Sequence, residues 1–184
     1  WPQVDSKEIR VQGFAGWKAG MTHVMMRDMN PRSTSAGQEI RVPVTVVEVP
    51  EMIVLGVRGY KMTPYGKQTA GEAWLESSEL VEAFPEIGRR LPEPKAHESE
   101  KHFEALKEED LCEVRLIVAT QPGKVSGSPS KTPEVMELGL CGGTPEEQLN
   151  WSSEQLGQQI SIDSVFDEGV FIDVVGITKG SGFQ

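Results

Sequence analysis

The strongest pattern in the chain is a nearly continuous β-branched run at residues 42–49, Val-Pro-Val-Thr-Val-Val-Glu-Val, followed after Pro50-Glu51 by a second apolar run at 52–60. Such composition favours strands. Two runs joined by a two-residue link predict a β-hairpin. Pro-Glu is not a pair that primed turns prefer, so the link is expected to carry a bulge or a longer loop. Upstream, residues 11–15 and 21–27 read as strands around a turn at 16–20, and 30–38 reads as a polar loop opened by Asn30-Pro31. Thr63-Pro64-Tyr65-Gly66 is a turn, and 71–75 a short strand.

The pattern changes at residue 77. Residues 77–84 read as a short acidic helix and 96–109 as a longer one, with Phe103, Leu106 and Leu111 forming one thin apolar stripe. Strand character returns at 112–119. An irregular, Gly- and Pro-rich loop follows at 121–133, then a strand at 134–140. Thr144-Pro145-Glu146-Glu147 carries the marks of a helix start: a capping Thr, Pro at the first position and Glu three residues after the cap. That helix is expected to reach about Ser152. Residues 160–162 and 170–177 read as the last strands. Strands dominate both ends and helices the middle, so the expected fold is mainly β, a small barrel with an inserted helical region. Its divisions are 1–75 (first part of the barrel), 76–111 (acidic helical insertion), 112–159 (strand, irregular loop and short helix) and 160–184 (barrel strands). No closing strand is found before Gln184, so the barrel is expected to be incomplete. The chain also begins without Met, so either it is processed or its true beginning is missing.

Charge refines this picture. The net charge is -10, which by itself argues against a nucleic-acid partner. Between Glu76 and Val114, however, twelve acidic residues face five basic ones, a balance of -7, and the rest of the chain carries only -3. The acidity is concentrated in one segment. No apolar run approaches the roughly 18 residues of a membrane span, and no signal peptide is visible. The two cysteines, Cys112 and Cys141, suit a reducing compartment, with Cys112 expected to be a buried structural thiol.

The chemistry-bearing residues assemble no enzyme site. His97 and His102 lie five apart, so they do not share a helical face, and no Cys or Asp cluster completes a metal site. No Ser, Cys or Thr nucleophile has a base and an orienting group in a recognisable motif. Gly-Leu-Cys-Gly-Gly at 139–143 lacks the spacing of a phosphate cradle and reads as a turn. Two other Gly-spaced loops point towards nucleic acid. In Thr178-Lys179-Gly180-Ser181-Gly182-Phe183, glycines let the backbone approach a phosphate beside the Lys179 ammonium, and Phe183 could stack on a base. Residues 16–23 repeat the theme with Lys18 and His23. Trp17 there reads either as a core residue plugging the barrel or as a stacking platform.

Several of these segments, in order along the chain, resemble one family. Residues 14–23 (Phe-Ala-Gly-Trp-Lys-Ala-Gly-Met-Thr-His) are similar to the opening signature of large ribosomal subunit protein three in its archaeal and eukaryotic form. Further similarities follow collinearly at 42–50, 63–66, 116–121, 131–137, 142–144 and 173–180. The resemblance implies a β-barrel of the translation-protein type, with an insertion whose acidity leans archaeal. It implies binding to large-subunit ribosomal RNA, a part in early subunit assembly, and a basic extension towards the peptidyl-transferase centre. In the family that extension starts just after the Thr-Lys-Gly segment. Ser181 departs from the pattern by standing where a second Lys is usual.

The reading from sequence is therefore a structural constituent of the large ribosomal subunit, cytoplasmic on the ribosome, and no enzyme. Large-subunit RNA and neighbouring subunit proteins are the expected partners, with no cofactor, metal, membrane or small-molecule substrate. The candidate RNA contacts are Lys18, His23, Arg27, Arg32, Lys61, Lys67, Lys124, Lys131, Lys179 and Phe183, each alternatively a solvated surface group. The competing reading is a β-barrel interaction module that binds a protein partner through its acidic helical insertion.

Overall fold

The computed structural model describes residues 1–2, 6, 8–75, 84–90, 99–178 and 180–183. The run at 52–57 is buried at every position, and this places it at the centre of the molecule. It opens strand β4 (Met52–Thr63). Around it lies an antiparallel sheet built with β1 (Arg10–Val11), β5 (Gly66–Trp74), β6 (Glu113–Ala119), β7 (Val135–Cys141) and β8 (Gln159–Ile160). The order is β1-β7-β6-β4-β5, with β8 pairing the start of β4. Strands β2 (Trp17–Arg27) and β3 (Glu39–Glu48) form a separate two-stranded ribbon.

Alternation divides the sheet into two faces. One face carries Met52, Val54, Val57, Leu116, Val118 and Leu138, and on it pack helices α1 (Ser99–Glu108) and α2 (Pro145–Gln155). Leu106 and Leu149 are the helices' buried anchors. Phe103 and Leu111 join that core, so the expected stripe of the longer helix is the face that docks. Gly59 of β4 provides the room: a Cβ there would lie 2.8 Å from Leu111 and 3.0 Å from Leu106. The opposite face is apolar at one end, where Ile53, Leu55 and Ala119 meet Ile87 and Phe84. At the other end it is charged. There Glu137 accepts hydrogen bonds from Tyr60 (2.8 Å) and Arg115 (3.1 Å) and pairs with Arg58, which also reaches Glu72 at 2.6 Å.

The mainly β fold with a helical insertion is what the structure shows, and its sheet is open among the described residues. Helix α2 begins as its sequence requires. Thr144 accepts from the Glu147 amide, and the Glu147 carboxylate accepts from the Thr144 amide. The helix runs on to Gln155, three residues past the expected end. Of the Gly-rich stretch 139–143, expected as a turn, Gly139–Cys141 belong to β7, and only Gly142 and Gly143, at φ of 81° and 69°, bend the chain into α2.

Five expectations need correction. The runs 42–49 and 52–60 do not pair with each other. β3 pairs with β2 and β4 with β5, β6 and β8. The Pro50-Glu51 link lacks the backbone geometry of a tight hairpin turn, whereas Thr63-Pro64-Tyr65-Gly66, with Gly66 at φ 110°, closes β4 onto β5. Residues 17–20 belong to β2 rather than to a turn, with a bulge between Lys18 and Gly20 absorbing the glycine. Of the first expected strand, 11–15, only Val11 lies in a strand, paired through β1 to β7, with the Gln12 amide donating to the Gly139 carbonyl at 2.9 Å. Residues 170–177 form no strand; they have the composition of one, but find no backbone partner among the described residues, and Phe171, Val175 and Ile177 are fully exposed. Cys112 lies just before β6 and is half-buried rather than buried. Of the short acidic helix expected at 77–84, residues 77–83 lie outside the described residues, and Phe84 is not helical.

Candidate nucleic-acid interface

The β2–β3 ribbon has two unlike faces, and its register shows why. Met21 faces Thr45, His23 faces Pro43, Met25 faces Arg41 and Arg27 faces Glu39. Since side chains alternate, Met21, His23, Met25, Arg27, Glu39, Arg41, Pro43 and Thr45 share one side, with Glu39 its one carboxylate among these. The neighbouring pairs, Val24 with Val42, Thr22 with Val44, Met26 with Ile40 and Gly20 with Val46, share the other. One face is basic and polar with interspersed methionines. The other is almost wholly apolar. Ten residues of strand give a ribbon roughly 33 Å long at ~3.3 Å per residue.

On the basic face the Arg41 guanidinium lies 2.9 Å from His23 Nδ1. An arginine can only donate, so Nδ1 accepts and the ring proton of the neutral imidazole sits on Nε2. Arg27 Nε donates to the Gly37 carbonyl at 3.1 Å, which anchors the strand end to the following loop. That loop is organised by Asp28. Hydrogen bonds from Ser33, the Asn30 amide and Ser35 hold its carboxyl below the ordinary carboxylate range. Asn30 in turn accepts from the Arg32 amide at 3.1 Å, leaving the exposed Arg32 side chain at the ribbon tip. Lys18 is exposed near the other end, just before the bulge. Arg27, Arg32 and Arg41 have no carboxylate partner among the described residues.

The ten sequence candidates thus separate. Lys18, His23, Arg27 and Arg32 come together on the ribbon. Lys61, Lys67 and Lys124 belong to the sheet region and are each held by a carboxylate: Glu109 at 3.0 Å, Glu113 at 2.6 Å and Glu51 at 3.2 Å. Burial alone would push the Glu113 carboxyl up, but Arg115 and Lys67 beside it bring it below its usual range. Lys131 is half-buried and donates to the Val125 carbonyl at 3.0 Å. Phe183 is exposed in the tail, beside Gly176. Lys179 lies outside the described residues. Trp17 is half-buried at the start of β2.

Arg41 was missing from the sequence candidates. Its signal was the alternation inside the β-branched run: Val42, Val44 and Val46 on one side leave Arg41 and Thr45 on the other. Among the described residues no group of three or more His, Cys, Asp or Glu side chains is placed to hold a metal ion. No helix of the described residues is long and apolar enough to cross a membrane.

Comparison with known proteins gives this surface its context. The family model described as Ribosomal protein L3 matches residues 1–184. The large ribosomal subunit protein uL3 of Archaeoglobus fulgidus is 47% identical over 184 residues, covering 100% of this chain and 53% of the relative. Its counterpart in Methanopyrus kandleri is 44% identical over 187 residues, with 100% and 50% covered. That of Methanothermobacter thermautotrophicus is 41% identical over 187 residues, with 100% and 53% covered. The chain spans about half the length of the curated relatives it matches. With a match that runs from its first residue to its last, the chain belongs to the ribosomal protein L3 family.

Proposed function

We propose that this chain is part of a structural protein of the large ribosomal subunit and that it binds large-subunit ribosomal RNA through the basic face of its β2–β3 ribbon. Neighbouring subunit proteins are its other partners, the cytoplasmic ribosome its place, and support of subunit assembly and of translation near the peptidyl-transferase centre its role. No catalytic residue enters this reading. One observation carries the assignment of the face. Arg27, Arg32 and Arg41 gather on one ribbon without carboxylate partners among the described residues, while Lys61, Lys67 and Lys124 of the sheet region are neutralised within the fold. A cation already paired with a carboxylate has less to gain from a phosphate, because it must give up one partner for another. A cation hydrogen-bonded only to carbonyl or imidazole keeps its charge available, and releases counterions from RNA when it binds. The exposed methionines between the arginines add polarizable apolar area of the kind that adapts to an irregular surface.

The test is the salt dependence of binding to large-subunit RNA. Affinity should fall steeply with salt, and Arg27→Ala, Arg32→Ala and Arg41→Ala should each weaken binding and flatten the log–log salt slope by about 1. Lys61→Ala, Lys67→Ala and Lys124→Ala should change the slope much less. Equal losses from both sets would remove the ribbon's special place. Binding insensitive to salt would remove the RNA reading altogether. Lys179→Ala, in the Gly-rich tail, is expected to lower affinity in the same manner as the ribbon arginines.

A further inference from the structure

The molecule carries a second surface with the opposite electrostatic character. Between the C-terminal end of α1 and the start of α2 lies an open cleft of about 850 Å³. The apolar surface of its floor comes from the half-buried Leu111 and Pro145, above Leu106 and Leu149, which are buried in the core beneath. Its rim carries Glu108, Glu109, Asp110 and Glu146, against the single ammonium of Lys107. Glu109 is engaged by Lys61 at 3.0 Å. Glu108, Asp110 and Glu146 are exposed and have no ion-pair partner among the described residues. The start of α2 adds no positive field for an anion, because Thr144 and Glu147 already satisfy its first amides and Glu146 stands in its first turn.

An apolar floor under an acidic rim matches one kind of occupant. The aliphatic stems of Lys and Arg cover apolar surface while their charged heads reach outward to carboxylates. RNA is the wrong partner, since its phosphates would face unpaired carboxylates at short range. We propose that this cleft docks an extended Lys/Arg-rich peptide segment of a protein partner. The assignment does not depend on RNA binding by the ribbon. It gives the protein two recognition surfaces of opposite sign, one for phosphate and one for basic polypeptide.

The experiment titrates the protein with a fluorescent peptide of about 12 residues, rich in Lys, Arg and Gly, across a range of salt. The expected result is saturable binding that weakens as salt screens the rim. Glu108→Lys combined with Glu146→Lys should weaken it about tenfold at low salt, attraction being replaced by repulsion at the rim. Glu168→Lys reverses one charge outside the cleft, half the change of the double variant, and should leave peptide affinity unaltered. Circular dichroism confirms that each variant is folded, and RNA affinity is measured in parallel. Peptide affinity unmoved by the double change, or lowered as much by Glu168→Lys, overturns the proposal. So does a rise in RNA affinity in the double variant that Glu168→Lys does not share, since relief of carboxylate–phosphate repulsion would seat RNA in the cleft. A protein that binds peptide in this way but no RNA would sink the proposed function and leave the cleft standing.

Discussion

Whether a cation is available depends on its neighbours rather than on its identity. Lys67 and Arg41 both lie on exposed strand positions, yet the first is closed off by Glu113 at 2.6 Å and the second points at an imidazole. Chain position alone could not separate them, because Lys67 and Glu113 are joined only by the pairing of β5 and β6 on either side of β4. Residue types were thus legible in the sequence and their engagement was not. Asp28 offers a test at this scale. Its carboxyl is held below the usual range by Ser33, the Asn30 amide and Ser35. A carboxyl depressed in the folded state contributes stability that is complete above its unfolded value, about 4. That contribution is lost as pH falls through the folded value. The amide signals of Asn30 and Ser35 should therefore hold steady at neutral pH and shift together only in acid below about pH 4. Asp28→Asn should remove the step. Persistence of the step in that variant would assign it to another group.

At the scale of elements, local signals succeeded where the reason for an element is local. The capping box of α2 and the turn at 63–66 need only adjacent residues. The partner of β3 could not be read in this way. Adjacent apolar runs invite pairing, but the ladder is decided by which neighbour supplies a compatible connection. Here the loop organised by Asp28 joins β2 to β3, and Pro50-Glu51 passes the chain on to a different sheet. Residues 170–177 show the same limit: a strand's composition does not provide its partner. Docking of α1 rests on a small residue that no periodicity analysis highlights. Gly59→Ala would bring a methyl within 3.0 Å of Leu106 and closer still to Leu111. Displacing those side chains should cost about 1–3 kcal/mol, seen as a lower urea midpoint. An unchanged midpoint would mean that α1 has slack to move aside.

Over the whole molecule, the sequence's charge asymmetry becomes a division of labour in space. The excess of acid found between residues 76 and 114 contributes to the rim of the α1–α2 cleft and to carboxylates that neutralise the sheet lysines. Arg27, Arg32 and Arg41, which have no carboxylate partner among the described residues, lie on the ribbon. This is how a chain of net charge -10 can belong to a family of ribosomal proteins. Fold class was readable because a buried centre such as 52–57 announces itself in composition. The cleft was not, because its walls come from two helices more than 35 residues apart, and only their docking on a common sheet brings Glu108 and Glu146 to one rim.

The ribbon's bare apolar face also has a consequence in time. A two-stranded ladder without a packed third layer is only marginally stable in water, so β2 and β3 should open and close many times for each opening of the central sheet. Hydrogen–deuterium exchange would show it directly: amides of residues 21–26 and 40–46 should exchange far sooner than those of 53–58 and 114–118. Adding the RNA should slow the first set and leave the second as it was. The surface assigned here to recognition would then be the part of the protein that acquires its order from what it recognises.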